Sequence, residues 1–300
     1  MTTRLPIVKT YKLFIGGKFP RTESGRSIKI ADAAGKTLAH TCRASRKDLR
    51  NAVEAAAKAQ PGWASATAYL RGQILYRLAE MMEGKSGELS AAIDAVGYTP
   101  DDENQAIHQA ANEQAASEVQ SAIDRVIHYA GWADKYPQVL GCANPVAGPY
   151  HNFTIPDPVG VVGIVCPDDA PLLALVSLVA PVVCAGNACV LLASQTNPIP
   201  ACILAEAIAT SDMPSSIINI LTGLGDELVP HLASHREIAA IHAAGVTPEQ
   251  RTILELGAAE NLKRVTIRDT IDWFDENGCE HADWIEPFVE YKTIWHPSSA

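Results

Sequence analysis

The spacing of apolar residues changes character along this chain, and each change marks an element. Residues 11–19, YKLFIGGKF, set a Gly-Gly pair between two apolar runs, which predicts a β-hairpin. Residues 24–45 continue as short strands. Ser45 and Asp48 form a capping box before the Ala-rich run DLRNAVEAAAKAQ, and Pro61-Gly62 is expected to end that helix. A second helix places Leu70, Ile74, Leu75, Leu78, Met81 and Met82 on one face, its methionines read as core. A long polar, Ala-rich helix is expected over 103–135. Residues 136–160 are Pro-rich and break the periodicity; the strand-like PYHNFTIP within them is either part of a linker or an edge hairpin. Strict alternation follows. Apolar runs VGVVGIV, ACVLLA, SIINIL, IAAIHA and LKRVTIR are separated by helical stretches, the pattern of a doubly wound parallel α/β sheet. No internal repeat interrupts it. An acidic, aromatic tail after Asp269 closes on the strand-like PFVEYKTIWHP.

Composition narrows the function classes. The chain has 300 residues, 47% of them apolar and 19% charged, enough for a sizeable core. A net charge of −10 without a basic run argues against nucleic acid or an acidic membrane as partner. The N-terminus lacks an apolar signal region, and prolines and Asp168-Asp169 interrupt the longest apolar stretch, so neither secretion nor a membrane span is expected. Seven cysteines show no CxxC or metal-ligand spacing, which points to a reduced, cytoplasmic setting, with Cys166, Cys184, Cys189 and Cys202 as core residues. Nine histidines form no HxH or HExxH cluster, and no metal site is expected.

One stretch asks a chemical question. CPDDAPLLAL, residues 166–175, leads from the first strand of the alternating region into a helix, where many α/β enzymes hold their chemistry, and it carries two adjacent acids. The flanking motifs resemble the aldehyde dehydrogenase superfamily over about residues 11–267: the N-terminal hairpin, the VGVVGIVCPDDAP core, SSIINILTGLGDEL and NLKRVTI, in that order. Within it the chain is most similar to the degenerate, non-catalytic second module of the family-16 branch. The resemblance implies a Rossmann-like core at 159–268 joined to N-terminal hairpin and helices at 1–137. It implies an oligomerisation hairpin at 138–158, a short linker at 269–285 in place of a catalytic domain, and a C-terminal oligomerisation strand at 286–300.

The resemblance implies a dismantled site. The family's Pro-Trp-Asn, whose Asn donates to an oxyanion, is here Pro167, Asp168 and Asp169; a carboxylate donates nothing and repels that charge. The Lys and Glu that hold the adenosine ribose correspond to Leu192 and Gln195, of which Gln195 retains hydrogen-bonding capacity. In the Phe-Thr-Gly-Ser turn Gly245 survives, but Val246 replaces the Ser. The general-base Glu becomes Arg268, which cannot accept a proton. The glycines of GLGDEL are explained equally by a turn before a helix, and LELG at 254–257 falls within a helix ahead of the expected register. Cys279 has no base or oxyanion hole beside it and reads as a tail cysteine. Asp168-Asp169 is then expected to be a solvated strand–helix connection, with no catalytic or cofactor-binding residue in the chain.

The resemblance also implies what was kept. Tyr150, Phe153 and Ile155 of the hairpin and Phe288, Val289, Tyr291, Ile294 and Trp295 of the last strand correspond to elements that reach across family dimers. Strand addition would let them seat on a partner; a hairpin folded back on the chain's own surface is the alternative. The expected function is a structural or regulatory subunit in a hetero-oligomer with a full-length aldehyde dehydrogenase, the NAD or NADP being bound by that partner. The competing expectations are an NAD(P)-dependent oxidoreductase with a rebuilt site and a stand-alone nucleotide-binding regulator.

Overall fold

The computed structural model describes residues 7–97 and 105–298, the side chains of 105–108 excepted, so the start of the helix expected from 103 lies outside the described residues. Strands β1 (Lys9–Tyr11), β2 (Ser27–Ala31) and β3 (Thr37–Cys42) make a small sheet in the order β1-β3-β2. The Gly16-Gly17 turn is present: Ile15 and Lys18 exchange backbone bonds at 3.0 and 3.1 Å, and the two glycines take φ of +65° and +71°, a conformation that only glycine adopts freely. Its flanks do not extend as a free hairpin. Phe14 instead bridges Ile220 on the edge of the central sheet.

Helix α1 (Arg46–Ala64) starts at the Ser45–Asp48 capping box, as expected. It does not stop at Pro61-Gly62. Ser65 N donates to Pro61 O at 3.1 Å, and the extra turn seats Trp63, whose indole Nε1 donates to Val183 O at 2.9 Å. A buried aromatic anchor outweighs the one helix bond that proline forfeits. In α2 (Ala68–Glu83) the buried stripe is Ile74, Leu75, Leu78, Ala79 and Met82. Leu70 is exposed and Met81 lies at the margin, because the stripe is centred on Arg71, whose buried guanidinium holds Cys184 O and Ala66 O at 3.2 and 2.7 Å. Helices α3 (Ser86–Gly97), α4 (Gln105–Trp132) and α5 (Tyr136–Leu140) follow.

The Pro-rich stretch resolves as a hairpin, β4 (Cys142–Asn144) and β5 (Tyr150–Pro158). Then the alternation appears as expected: β6 (Val161–Val165), α6 (Leu173–Cys184), β7 (Ala188–Leu192), α7 (Ile199–Thr210), β8 (Ile218–Leu221), α8 (Gly225–Ser234), β9 (Ile238–Ala244), α9 (Pro248–Asn261) and β10 (Arg264–Arg268). The five strands are parallel in the order β10-β9-β6-β7-β8. Right-handed crossovers put α6 and α7 on one face and α8 and α9 on the other, with α1 packed on β7, β8 and α8. Every residue of α6 is buried because α2 and α4 cover the side turned away from the sheet.

The stretch expected as a linker is packed. After β10 come α10 (Glu276–Cys279) and two 3₁₀ turns, Ala282–Trp284 and Glu286–Phe288, before β11 (Val289–Pro297). Trp273, Cys279, Trp284, Ile285 and Phe288 are buried, and the rings of Trp284 and Phe288 stand 5.6 and 4.7 Å from that of His242 on β9. Phe288 and Val289 are therefore core residues rather than surface contacts, and the exposed strand begins at Glu290. β11 pairs antiparallel with β5 along its whole length, from Val289↔Pro158 to Pro297↔Tyr150, giving a sheet in the order β11-β5-β4. Tyr150 and Trp295 meet edge to face at 5.9 Å, Phe153 stands opposite Ile294, and Ile155 opposite Lys292.

Asn187 ties these layers together. Its Oδ1 accepts from Gly160 N at 2.9 Å, and its Nδ2 donates to Val182 O and Phe288 O at 3.1 and 2.9 Å, the last two bonds buried with the Asn187 side chain. Asn187→Ala leaves Gly160 N without a partner and strips Val182 O and Phe288 O of one of their two bonds, and is expected to cost about 1–3 kcal/mol in urea unfolding. Unchanged stability would contradict this role.

Candidate functional site

The crevice of such a sheet opens at the carboxyl ends of its strands, where neighbouring connections leave in opposite directions. Here that is beside β6, flanked by β7 and β9, and a cavity of about 210 Å³ lies there. It gathers Asp168, Leu192, Gln195 and Gly245 from the residues singled out in the sequence, together with Asp226 and Gln250. Val246 turns towards the core beside it, whereas Asp169 and Arg268 serve the C-terminal segment.

Asp168 is solvent-facing but has work to do in the chain. Its Oδ1 accepts from Ser194 Oγ at 2.8 Å, Gln195 N at 2.7 Å and Thr196 N at 3.0 Å. The carboxylate thus clamps the connection after β7, which corrects the expectation of a merely solvated link. Gln195 in turn points its Oε1 at Gly225 N, 3.1 Å away, capping the start of α8. Gln250 Nε2 donates to Asp226 Oδ1 at 2.9 Å across the same cavity. Gly245 has a steric reason to persist: its φ is +62°, and a Cβ there would lie 2.6 Å from Pro167 Cβ. The beginning of α6 is also taken, since buried Glu118 accepts from Leu172 N and Leu173 N at 2.8 and 3.2 Å. Burial raises the Glu118 pKa above the ordinary carboxylate range, against the pull of those bonds.

This donor set does not fit a dinucleotide pyrophosphate. The helix N-termini that would meet an anion are capped internally by Gln195 and Glu118, and Asp168 and Asp226 add negative charge to the wall. Among the described residues no group of three or more His, Cys, Asp or Glu side chains is arranged for a metal ion.

The two other departures face a second set of partners. Asp169 Oδ2 accepts from Trp273 Nε1 at 3.0 Å. Arg268 lays its guanidinium 4.1 Å above the Trp284 ring and donates from Nε to His242 Nε2 at 3.2 Å. An arginine can only donate, so Nε2 is the acceptor, and the proton of His242 sits on Nδ1, bonded to Leu178 O at 3.0 Å. Burial, with Arg268 beside it, pulls the His242 pKa down to about 3. Deeper still, Arg125 is 1% exposed and donates to Ser177 Oγ at 2.6 Å, Trp273 O at 3.1 Å and Glu280 Oε1 at 3.0 Å. Cys279 is buried with its thiol 3.5 Å from Asp272 O, and burial raises its pKa, the reverse of what a nucleophile needs. Burial also pushes Cys184, Cys189 and Cys202 up to about 12.

Sequence reasoning missed Glu118, Arg125, His242 and the two tryptophans as site residues. His242 stands inside an apolar strand, and Trp273 and Trp284 lie in an acidic tail; only the density of aromatics in that tail hinted that it packs.

Comparison with known proteins agrees with this frame. The family model of the aldehyde dehydrogenases matches residues 20–268. The chain belongs to the aldehyde dehydrogenase family. It is 32% identical over 264 residues to retinal dehydrogenase 2 of Mus musculus, covering 87% of this chain and 48% of that one. It is 31% identical over 259 residues to a mitochondrial benzaldehyde dehydrogenase of Antirrhinum majus, covering 85% and 46%. An aldehyde dehydrogenase from Bacillus cereus, solved as an NAD⁺ complex, superposes with a TM-score of 0.78 at 26% identity, over 87% of this chain and 51% of that one. The chain thus spans about half the length of the relatives it matches. Among the described residues no helix is long and apolar enough to cross a membrane.

The state of His242 has a measurable consequence. The unfolded chain protonates this imidazole below about pH 6.5, whereas the folded chain does so only near 3. Its contribution is therefore intact above pH 6.5 and is lost as pH falls towards 3, at up to about 1.4 kcal/mol per pH unit. His242→Gln, which keeps a donor and an acceptor, is expected to flatten the fall in stability between pH 6.5 and 4.5. Parallel stability–pH curves for the two proteins would contradict this assignment.

Proposed function

We propose that this chain is a non-catalytic structural or regulatory subunit that assembles with a full-length NAD(P)-dependent aldehyde dehydrogenase in the cytoplasm. The observation that carries the reading is the use made of Asp169 and Arg268. At the positions that resemble the family's oxyanion donor and general base stand an acceptor and a cation, and both hold the segment between β10 and β11. A donor's replacement by a carboxylate alone costs on the order of 10²–10³ in rate, before any like-charge repulsion. In this reading the chain is a pseudoenzyme of the family-16 type, residues 269–288 stand in place of a catalytic domain, and the cofactor belongs to the partner.

The exposed sheet supports assembly. Tyr150, Tyr291 and Trp295 are exposed aromatics on one face of the β5–β11 pair, Phe153, Ile155 and Ile294 are half-buried on the other, and among the described residues β11 forms the edge of its sheet. An aromatic edge strand of this kind is an aggregation liability unless a partner covers it.

Co-expression with full-length aldehyde dehydrogenases of the same source, followed by purification through a tag on this chain and mass determination, tests the proposal. A stoichiometric complex is expected. The complex should be lost when residues from Glu290 onward are removed, a cut that spares buried Phe288 and Val289, and weakened several-fold or more by Trp295→Ala. The purified chain alone should neither turn over aldehydes nor bind NAD or NADP in calorimetry. Turnover by the chain alone, or a complex indifferent to the truncation, would overturn the reading.

A further inference from the structure

A second cavity, also of about 210 Å³, lies far from the strand ends, between the first turns of α1 and the last turn of α8. It is lined by Arg46 and Arg50 from α1 and by His231, Ser234, His235 and Arg236 from the end of α8 and the turn into β9. Three guanidinium groups and two imidazoles thus converge on one cleft of a chain whose net charge is −10. Elsewhere on this surface the arginines are mostly paired: Arg26 and Arg43 with Glu227, Arg77 with Glu80, Arg251 with Asp269 and Arg264 with Glu290. Here Arg50 has Glu54 at 3.4 Å, but among the described residues no carboxylate lies within ion-pair distance of Arg46 or Arg236.

The charge behind the wall has the same sign. Lys263 is 7% exposed and has no carboxylate partner among the described residues; its Nζ donates to the carbonyl of His235, 2.8 Å away. Burial lowers its pKa to about 8. His231 and His235 are held below their ordinary value by burial, with Arg46 and Lys263 respectively as the next cause, while Glu54 and Glu237 pull His235 the other way. Ser234 Oγ is committed to Pro230 O at 2.8 Å and remains able to accept.

We propose that this cleft binds a small phosphate dianion, inorganic phosphate or a phosphomonoester, through Arg46 and Arg236 with Arg50 and the two histidines around it. Guanidinium groups match phosphate oxygens in pairs, and a dianion supplies the counter-charge that the cleft lacks. The volume, about seven times a water's share of about 30 Å³, admits a phosphomonoester of a few carbons. The site is separate from the crevice beside β6, so its fate does not depend on how that crevice or the subunit role is judged.

Phosphorus NMR and calorimetry on the full chain, titrated with inorganic phosphate and separately with glycerol 3-phosphate at low salt, test the proposal. Saturable one-site binding is expected, and whichever ligand binds more tightly identifies the source of the phosphate. Arg46→Gln and Arg236→Gln should each weaken binding about ten-fold or more, the loss typical of one charge-assisted hydrogen bond. Arg77→Gln, the same change in net charge on the exposed face of α2, should leave the affinity unchanged. No saturable binding at millimolar phosphate, or equal weakening by Arg77→Gln, would overturn the proposal.

Discussion

A guanidinium buried on α4 governs how this chain completes its fold. Arg125 has lost its water, and a lone buried charge is costly, so it must be surrounded by acceptors. Ser177 on α6 supplies one, but the carboxylate and the carbonyl come from Glu280 and Trp273, beyond the last strand of the parallel sheet. The segment after β10 is therefore drawn in as part of the core. Once Trp273 is seated, its indole meets Asp169, Trp284 comes under Arg268, and Phe288 closes over His242 and Asn187. Tyr129 on the same helix adds a bond to Cys279 O at 2.8 Å. Removing the carboxylate from such a buried pair typically costs about 3–5 kcal/mol, so the segment and the layer of α4 and α6 are expected to stand or fall together.

This arrangement gives the unusual acids and the arginine a physical purpose. Two adjacent carboxylates at the end of a buried strand look like loss when judged by the chemistry of related enzymes. In this chain each has a distinct partner. Asp168 gathers three donors of the connection after β7, and Asp169 takes the indole of the C-terminal segment. Arg268 and neutral His242 form a donor–acceptor pair whose proton positions are set by the arginine. Residues aligned with chemistry are thus employed in packing, and the cavity that remains is lined by side chains already satisfied by one another.

Much of the architecture was legible in the sequence because it depends on local period. The continuous apolar runs of β6 and β7, the fully apolar α6, the Ser45 capping box and the Gly16-Gly17 turn all follow from spacing and residue type. What escaped depends on contacts far apart in the chain. Pro61 is tolerated because Trp63 finds Val183, and Leu70 is displaced from the buried stripe because Arg71 finds Cys184 O. The packing of residues 269–288 was illegible for the same reason: its acids and aromatics are ordered by Arg125, Asp169 and Arg268, none of which marks itself as a partner by local pattern. At the site, the identities of Asp168, Asp169 and Arg268 could be read residue by residue, but the partners they take in the fold could not.

Hydrogen–deuterium exchange over residues 269–288 tests the central claim most directly, namely that this segment is core held by Arg125, Asp169 and Arg268. In the wild-type chain its protected amides, those of Cys279, Trp284, Ile285 and Phe288 among them, should exchange at rates approaching those of β6 and β9. Glu280→Ala, which strips Arg125 of its carboxylate, should release the segment as a unit and loosen the neighbouring turns of α4 and α6. Exchange of residues 269–288 at the rate of an unstructured peptide in the wild type, or protection unaltered by Glu280→Ala, would contradict it.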